Sequence, residues 1–177
     1  MNFEEKTLKS EYVYRGKVLD VKRDEILVAN GNNSVREVVE HPGGVVILAA
    51  QGDKLLTVKQ FRYPLRETSV ELPAGRLEIG EDPDFASKRE LEEETGYIAH
   101  TWKSLGYIYT TPGFCSEKLY LYYATDLEFV GENPDDDEII RADKISISDF
   151  CNMIQNGEIN DSKTICAFYR GGKYIND

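Results

Sequence analysis

Apolar runs and turn signals alternate along the chain in an order that predicts strands, one long helix, more strands, then two helices. The longest uninterrupted apolar run is Val45–Ala50. With Gln51-Gly52-Asp53 after it and Lys54–Phe61 beyond, it predicts a hairpin. Upstream, Asn30-Gly31 is a strong turn signal between Glu25–Ala29 and Ser34–His41. Downstream, Leu105–Tyr109 and Lys118–Thr125 read as a third strand pair, split by a loop containing Thr111-Pro112-Gly113. Ser146–Asn156 and Asp161–Tyr169 read as helices, with Ser148 the expected N-cap of the first and Gly157 and Gly171 the expected stops. The central helix has the clearest punctuation: Asp82 suits its N-cap, Pro83 its first turn and Gly96 the residue after its end. This order predicts an α+β domain.

A chain of 177 residues is one domain's worth, large enough to bury a core without disulfides or a structural metal. Its net charge of −11, from 21 basic and 32 acidic residues, is the wrong general field for nucleic acid or an anionic membrane. That charge is concentrated. Glu78–Glu94 holds eight acids and two bases, Glu132–Glu138 holds five acids and no base, and the remainder balances to zero. The N-terminus carries charge where a signal peptide needs an apolar run, and Val45–Ala50 is far too short to span a bilayer. Cys115, Cys151 and Cys166 are odd in number with no CxxC pair, which predicts reduced thiols and a cytoplasmic protein. His41 and His100 stand apart, so a histidine-based zinc site or a histidine triad is not expected.

At 100° per residue, Glu90, Glu93 and Glu94 fall within an arc of about 100° on one helix face. They repel one another at i,i+3 and i,i+4 and crowd the C-terminal turn, where the helix dipole prefers cations. Lys88 and Arg89 lie upstream, so no local base is expected to offset this. A solvated acidic face is one reading. A carboxylate surface for Mg²⁺ or Mn²⁺, completed by water and substrate phosphate, is the other.

The surrounding residues separate the two. Gly75, Glu81, Arg89-Glu90-Leu91, Glu93-Glu94, Gly96 and Tyr97 stand in the order G-x5-E-x7-R-E-U-x-E-E-x-G-U, where U is bulky and apolar. This resembles the Nudix box, with Tyr97 aromatic where an aliphatic residue is more usual. Outside the box, Gln60-Phe61-Arg62-Tyr63-Pro64, Val70-Glu71-Leu72-Pro73-Ala74-Gly75, Pro112 fifteen residues beyond Tyr97, and Asp161-Ser162-Lys163-Thr164 look like the ADP-ribose pyrophosphatase branch. The likeness covers roughly residues 34–170.

The resemblance implies a Nudix-type α/β/α sandwich around a mixed sheet for residues 42–177. Residues 1–41 would form an N-terminal antiparallel strand region that builds a homodimer. It implies hydrolysis of ADP-ribose to AMP and ribose 5-phosphate, with two or three Mg²⁺ ions per site and Mn²⁺ the alternative. Glu90, Glu94, Glu93 and the Ala74 carbonyl would be the metal ligands. Arg89 would orient the glutamates, Glu81 would pair within the motif, and Gly75 and Gly96 would serve the backbone. Arg62 and Glu117 would contact substrate, with Arg36 and Arg66 as further anion contacts. Glu138 would be the general base, with Asp136 second and Glu93 a further catalytic carboxylate. Alternatives are the same chemistry on GDP-mannose or UDP-glucose, and a module that senses ADP-ribose without cleaving it.

Overall fold

The computed structural model describes residues 3–131 and 139–175, which divide into two compact units. The first takes the chain up to Gly43 together with Tyr109–Lys118. It holds an antiparallel sheet of β1 (Lys6–Arg15), β2 (Asp20–Leu27) and β3 (Asn33–Glu40) in that order. The Asn30-Gly31 signal sits in the β2–β3 turn, where Gly31 adopts φ +88° and its N–H donates to the Val28 carbonyl at 2.8 Å. Tyr109–Lys118 belongs here because Val39 N–H donates to the Phe114 carbonyl at 2.8 Å and the Val39 carbonyl accepts from Ser116 N–H at 2.9 Å.

The second unit is built on β4 (Gly44–Gln51), β5 (Lys54–Arg62), β6 (Glu67–Glu71), β7 (Ala74–Arg76), β8 (Tyr97–Tyr109), β9 (Lys118–Phe129) and β10 (Ile140–Ser146). Their mixed sheet runs β10-β5-β4-β9-β8, with β6 on β5 and β7 on β4. Strand β4 is parallel to β9 and antiparallel to β5 and β7. Both of its faces are covered, which is why it reads as an unbroken apolar run rather than an alternating one. Val46, Leu48 and Ala50 pack with Phe150, Ala167 and Phe168 from α2 (Ile147–Gln155) and α3 (Ser162–Ile175). Val45, Ile47 and Ala49 pack with Ala86 and Leu91 from α1 (Pro83–Thr95). Helices on both faces of one mixed sheet give the α/β/α layering.

The predicted β4–β5 hairpin forms, but the two strands pair only at Ala50↔Leu55 and Gln51↔Lys54. Beyond that point β4 takes β7 as its antiparallel neighbour and β5 takes β6. The chain from Leu72 to Gly75 therefore passes between strands that have parted, directly under α1.

Two helix signals read differently in the structure. Ser146, not Ser148, caps α2: its Oγ accepts from Asp149 N–H at 3.1 Å, because the β10 backbone stays extended to that residue. Gly171 does not stop α3. The buried positions Thr164, Ala167, Phe168 and Gly171 continue one helical stripe, and a Cβ at Gly171 would lie 2.2 Å from Leu48 Cδ2. That glycine serves close approach to β4, not termination.

Candidate active site

Helix α1 is punctuated as its sequence dictates. The Asp82 carboxylate accepts from Asp84 N–H at 2.9 Å and Phe85 N–H at 3.4 Å, Pro83 opens the first turn, and Gly96 closes the helix at φ +71°. Leu91 and Thr95 turn into the core, which leaves Glu90, Glu93 and Glu94 on another face. That face borders a cavity of about 360 Å³, lined also by Ala74, Gly75 and Arg76 of β7, Gln60 and Arg62 of β5, and Glu78, Arg89 and Ile140. Gly75 admits Glu90: a Cβ there would lie 1.9 Å from the Glu90 carboxyl carbon. Ala74 N–H donates to Glu94 Oε2 at 2.8 Å, which fixes β7 against the end of α1.

Repulsion among the glutamates is offset locally, against the reading that no base could do so. Lys88 and Arg89 do lie upstream, but the Arg89 side chain is long enough to span the group. Its Nε and Nη2 donate to Glu81 at 2.9 and 3.0 Å, and its Nη1 lies 2.8 Å from Glu93 and 2.9 Å from Glu90. The hydrogen bond from Arg89 holds the Glu81 carboxyl below its usual range, and Glu81 in turn accepts from Glu78 N–H at 2.9 Å. The same Glu81 bond raises the Arg89 guanidinium above its ordinary value.

Arg62 faces this cavity from β5 while its inner edge is held by Glu71, which is 2% exposed. Arg62 Nε donates to Glu71 Oε1 at 2.8 Å and Nη2 to Oε2 at 2.6 Å. Lys163 also donates to Glu71 Oε2. Burial pushes the Glu71 carboxyl up, but the Arg62 bonds and the Lys163 charge outweigh it and bring it down to about 2.

The remaining predicted residues fall elsewhere. In the first unit, Arg36 is ion-paired with Glu5, and Glu117 lies 3.4 Å from His41 Nδ1. In the second, Arg66 adopts φ +59° and stacks its guanidinium 3.6 Å over the Tyr63 ring. Asp136 and Glu138 lie outside the described residues. Gln60, Arg76, Glu78 and Ile140 line the cavity without having been singled out. Arg76 was within reach of the sequence: two residues past Ala74 on a strand it shares that residue's face, but so short a strand gave no periodic signal.

Among the described residues, no three His, Cys, Asp or Glu side chains converge on a common point. Glu90 and Glu93 are drawn to Arg89, and Glu94 to the Ala74 amide. The donor set nevertheless fits a hard divalent cation. It is all oxygen, it sits on one rigid helix end, and Gly75 leaves the cradle that Glu90 enters.

Comparison with known proteins agrees with this arrangement. Residues 39–168 match the NUDIX domain family, and residues 5–39 match the nucleoside diphosphate sugar hydrolase N-terminal domain. The chain is 40% identical over 169 residues to the ADP-ribose pyrophosphatase of Bacillus subtilis (strain 168), covering 94% of this chain and 91% of that one. It is 41% identical over 169 residues to the methanol dehydrogenase activator of Bacillus methanolicus, covering 93% and 91%. A crystal structure of an ADP compounds hydrolase shares the fold at a TM-score of 0.87 with 20% identity, covering 99% of this chain and 97% of that one. A helix-borne glutamate set over a glycine-lined strand, in a domain matched across most of its length, identifies the chain as a member of the Nudix hydrolase family.

Proposed function

We propose that this protein is a Mg²⁺-dependent pyrophosphatase that hydrolyses ADP-ribose to AMP and ribose 5-phosphate, with Mn²⁺ the alternative ion and two or three ions per site. The observation that carries the reading is the joint cavity of Glu90, Glu93, Glu94, Gly75 and Arg62. The similarity to a named ADP-ribose pyrophosphatase at 40% identity supports the substrate; a relative at 41% identity carries a different name.

The ligands for a divalent cation are Glu90, Glu93, Glu94 and the Ala74 carbonyl. When bound, the cation neutralises the diphosphate and gives Lewis acidity at the phosphoryl oxygens. The protein's own groups do the rest. Arg89 holds Glu90 and Glu93 at the cavity wall through its two ion pairs. Arg62 presents its outer guanidinium edge to the diphosphate, a geometry suited to phosphate oxygens. On the resemblance alone, Glu117 is assigned to the distal ribose or the metal-bound phosphates, and Arg36 and Arg66 are assigned as further anion contacts. Glu138 takes the proton from the attacking water, with Asp136 second and Glu93 a further catalytic carboxylate. The water oxygen joins phosphorus, the anhydride P–O bond breaks, and both products leave as phosphomonoesters.

The N-terminal sheet is read as a homodimer surface. The support is an exposed β1 bearing Leu8, Tyr12, Val13 and Tyr14, and the match of residues 5–39 to a hydrolase N-terminal domain. A cytoplasmic location accords with three free cysteines. No described helix is long and apolar enough to cross a membrane.

A panel of kcat/KM values with ADP-ribose, GDP-mannose and UDP-glucose at saturating Mg²⁺ tests the assignment. ADP-ribose is expected to lead, and a higher value for GDP-mannose or UDP-glucose would reassign the substrate. Intact ADP-ribose recovered after prolonged incubation with Mg²⁺ would instead make the protein a sensor.

A further inference from the structure

Arg62 is held at its inner edge by the buried Glu71. Its two inner donors, Nε and Nη2, are both committed to the Glu71 carboxylate. Only its outer edge is left to face the cavity that contains the glutamates. The direction of that edge is therefore set by the orientation of Glu71. A carboxylate bonded to one arginine alone can swing with it as a pair. Glu71 cannot, because Lys163 holds its Oε2 from a different element, the first turn of α3.

Lys163 is itself anchored. Its Nζ donates to Asp161 Oδ2 at 2.9 Å, and the same oxygen accepts from Thr164 N–H at 3.1 Å, so the ammonium is tied to the N-terminal turn of the helix. Thr164 Oγ1 accepts from Leu72 N–H at 3.0 Å, which grips the main chain one residue past Glu71. The chain then runs through Pro73, whose carbonyl accepts from Ile47 N–H at 2.8 Å, into Ala74 and Gly75. Lys163 does not line the glutamate cavity. It borders a separate hollow of about 390 Å³ that Arg62 also lines.

We propose that Lys163 is a positioning residue for substrate binding. From the start of α3 it fixes the Glu71 carboxylate, and Glu71 fixes the guanidinium edge of Arg62 that meets the diphosphate of a nucleoside diphosphate sugar. The proposal rests on Arg62 being a diphosphate contact. An unfixed guanidinium still carries its charge but meets the phosphate oxygens in many orientations, so binding suffers more than the chemical step.

The test is a double-mutant cycle on ADP-ribose hydrolysis at saturating Mg²⁺, with thermal melting of every variant as a folding check. Lys163→Met is expected to raise KM about tenfold while kcat stays within about threefold of wild type. Lys163→Arg, which keeps a cation on the same helix turn, is expected to stay within about threefold in KM. Arg62→Met is expected to raise KM at least as far as Lys163→Met, and the Arg62→Met/Lys163→Met double variant to match Arg62→Met alone. Should Lys163→Met not fold, Lys163→Gln takes its place in the cycle. A wild-type KM in Lys163→Met, no rescue in Lys163→Arg, or KM effects that multiply in the double variant would each overturn the proposal. An unchanged KM in Arg62→Met would overturn the reading of Arg62 itself, and is distinguishable because it appears in that single variant. Calorimetric Kd values for ADP-ribose without metal, on the same set, are expected to rank as the KM values do. The absence of AMP formation by folded wild-type protein with Mg²⁺ would instead remove the proposed substrate.

Discussion

Replacing Gly75 by Ala separates what this residue does for the backbone from what it does for the site. All three atoms nearest the added Cβ belong to the Glu90 carboxyl, at 1.9, 2.0 and 2.1 Å. Non-bonded carbon atoms settle at about 3.5–4.0 Å, so the carboxyl must retreat by roughly 1.5 Å or more. Gly75 is not among the residues of positive φ, so alanine is conformationally allowed there. The side chain in the way is a flexible one, and moving it costs the Arg89–Glu90 pair, roughly 1–2 kcal/mol for side chains 23% and 12% exposed. Relief of glycine's unfolded-state entropy returns about 0.4–1 kcal/mol. Net stability should therefore fall by less than about 2 kcal/mol, or up to about 8 °C in Tm for a chain of this size. Catalysis should suffer far more, since a misplacement of about 1 Å at a reacting site is worth about 100-fold. The assay is kcat for ADP-ribose at saturating Mg²⁺ beside thermal melting. The Gly75→Ala/Glu90→Ala variant should be no slower than Glu90→Ala alone. A kcat within about threefold of wild type would mean that Glu90 is not needed where Gly75 seats it. A fall in Tm above about 10 °C would mean that the backbone and not Glu90 had moved.

Glu94→Gln retains an oxygen that can accept from the Ala74 amide, so its Tm should stay near wild type. Its kcat should fall by more than the roughly 100-fold that outer-sphere partners of a metal are worth, measured at saturating Mg²⁺. Gly171→Ala drives a methyl to 2.2 Å from the fully buried Leu48 and should cost about 1–3 kcal/mol in urea unfolding, with kcat/KM unchanged. Glu71 has its carboxyl depressed from 4.5 to about 2, so its contribution is complete above pH 4.5 and is lost as pH falls toward 2. That difference is worth about 3 kcal/mol. Urea unfolding between pH 6 and 3 should show a loss for wild type that is smaller by roughly 2 kcal/mol in Glu71→Gln, the remainder coming from other depressed carboxylates such as Glu81.

The parts of the fold that the sequence discloses are those with local causes. Asp82, Pro83 and Gly96 act on their own neighbours, so α1 is bounded by signals that need no tertiary context. The β4–β5 turn is likewise local. Gly171 is different: its stop signal and its packing role look alike in sequence, and only contact with Leu48 tells them apart. Strands β6, β7 and β10 are short or peripheral and carry no strong period, so the opening between β4 and β5 that seats Ala74 and Gly75 could not be read.

The site divides in the same way. The spacing of Glu90, Glu93 and Glu94 marks a helix face before any tertiary contact is known. The Arg89 fork that spans Glu81, Glu90 and Glu93 depends on a loop folding back onto the helix, which no helical wheel displays. The Arg62–Glu71–Lys163 chain joins two strands to a helix far away in sequence, so its members appear in sequence only as separate motif fragments.

The most direct test is to incubate the purified protein with ADP-ribose and Mg²⁺ and to quantify AMP by chromatography, with Glu94→Gln and a no-enzyme sample alongside. AMP and ribose 5-phosphate are expected in equal amounts from wild type, and neither product above background from Glu94→Gln. No AMP from folded wild-type protein, or equal AMP from both proteins, would contradict the assignment.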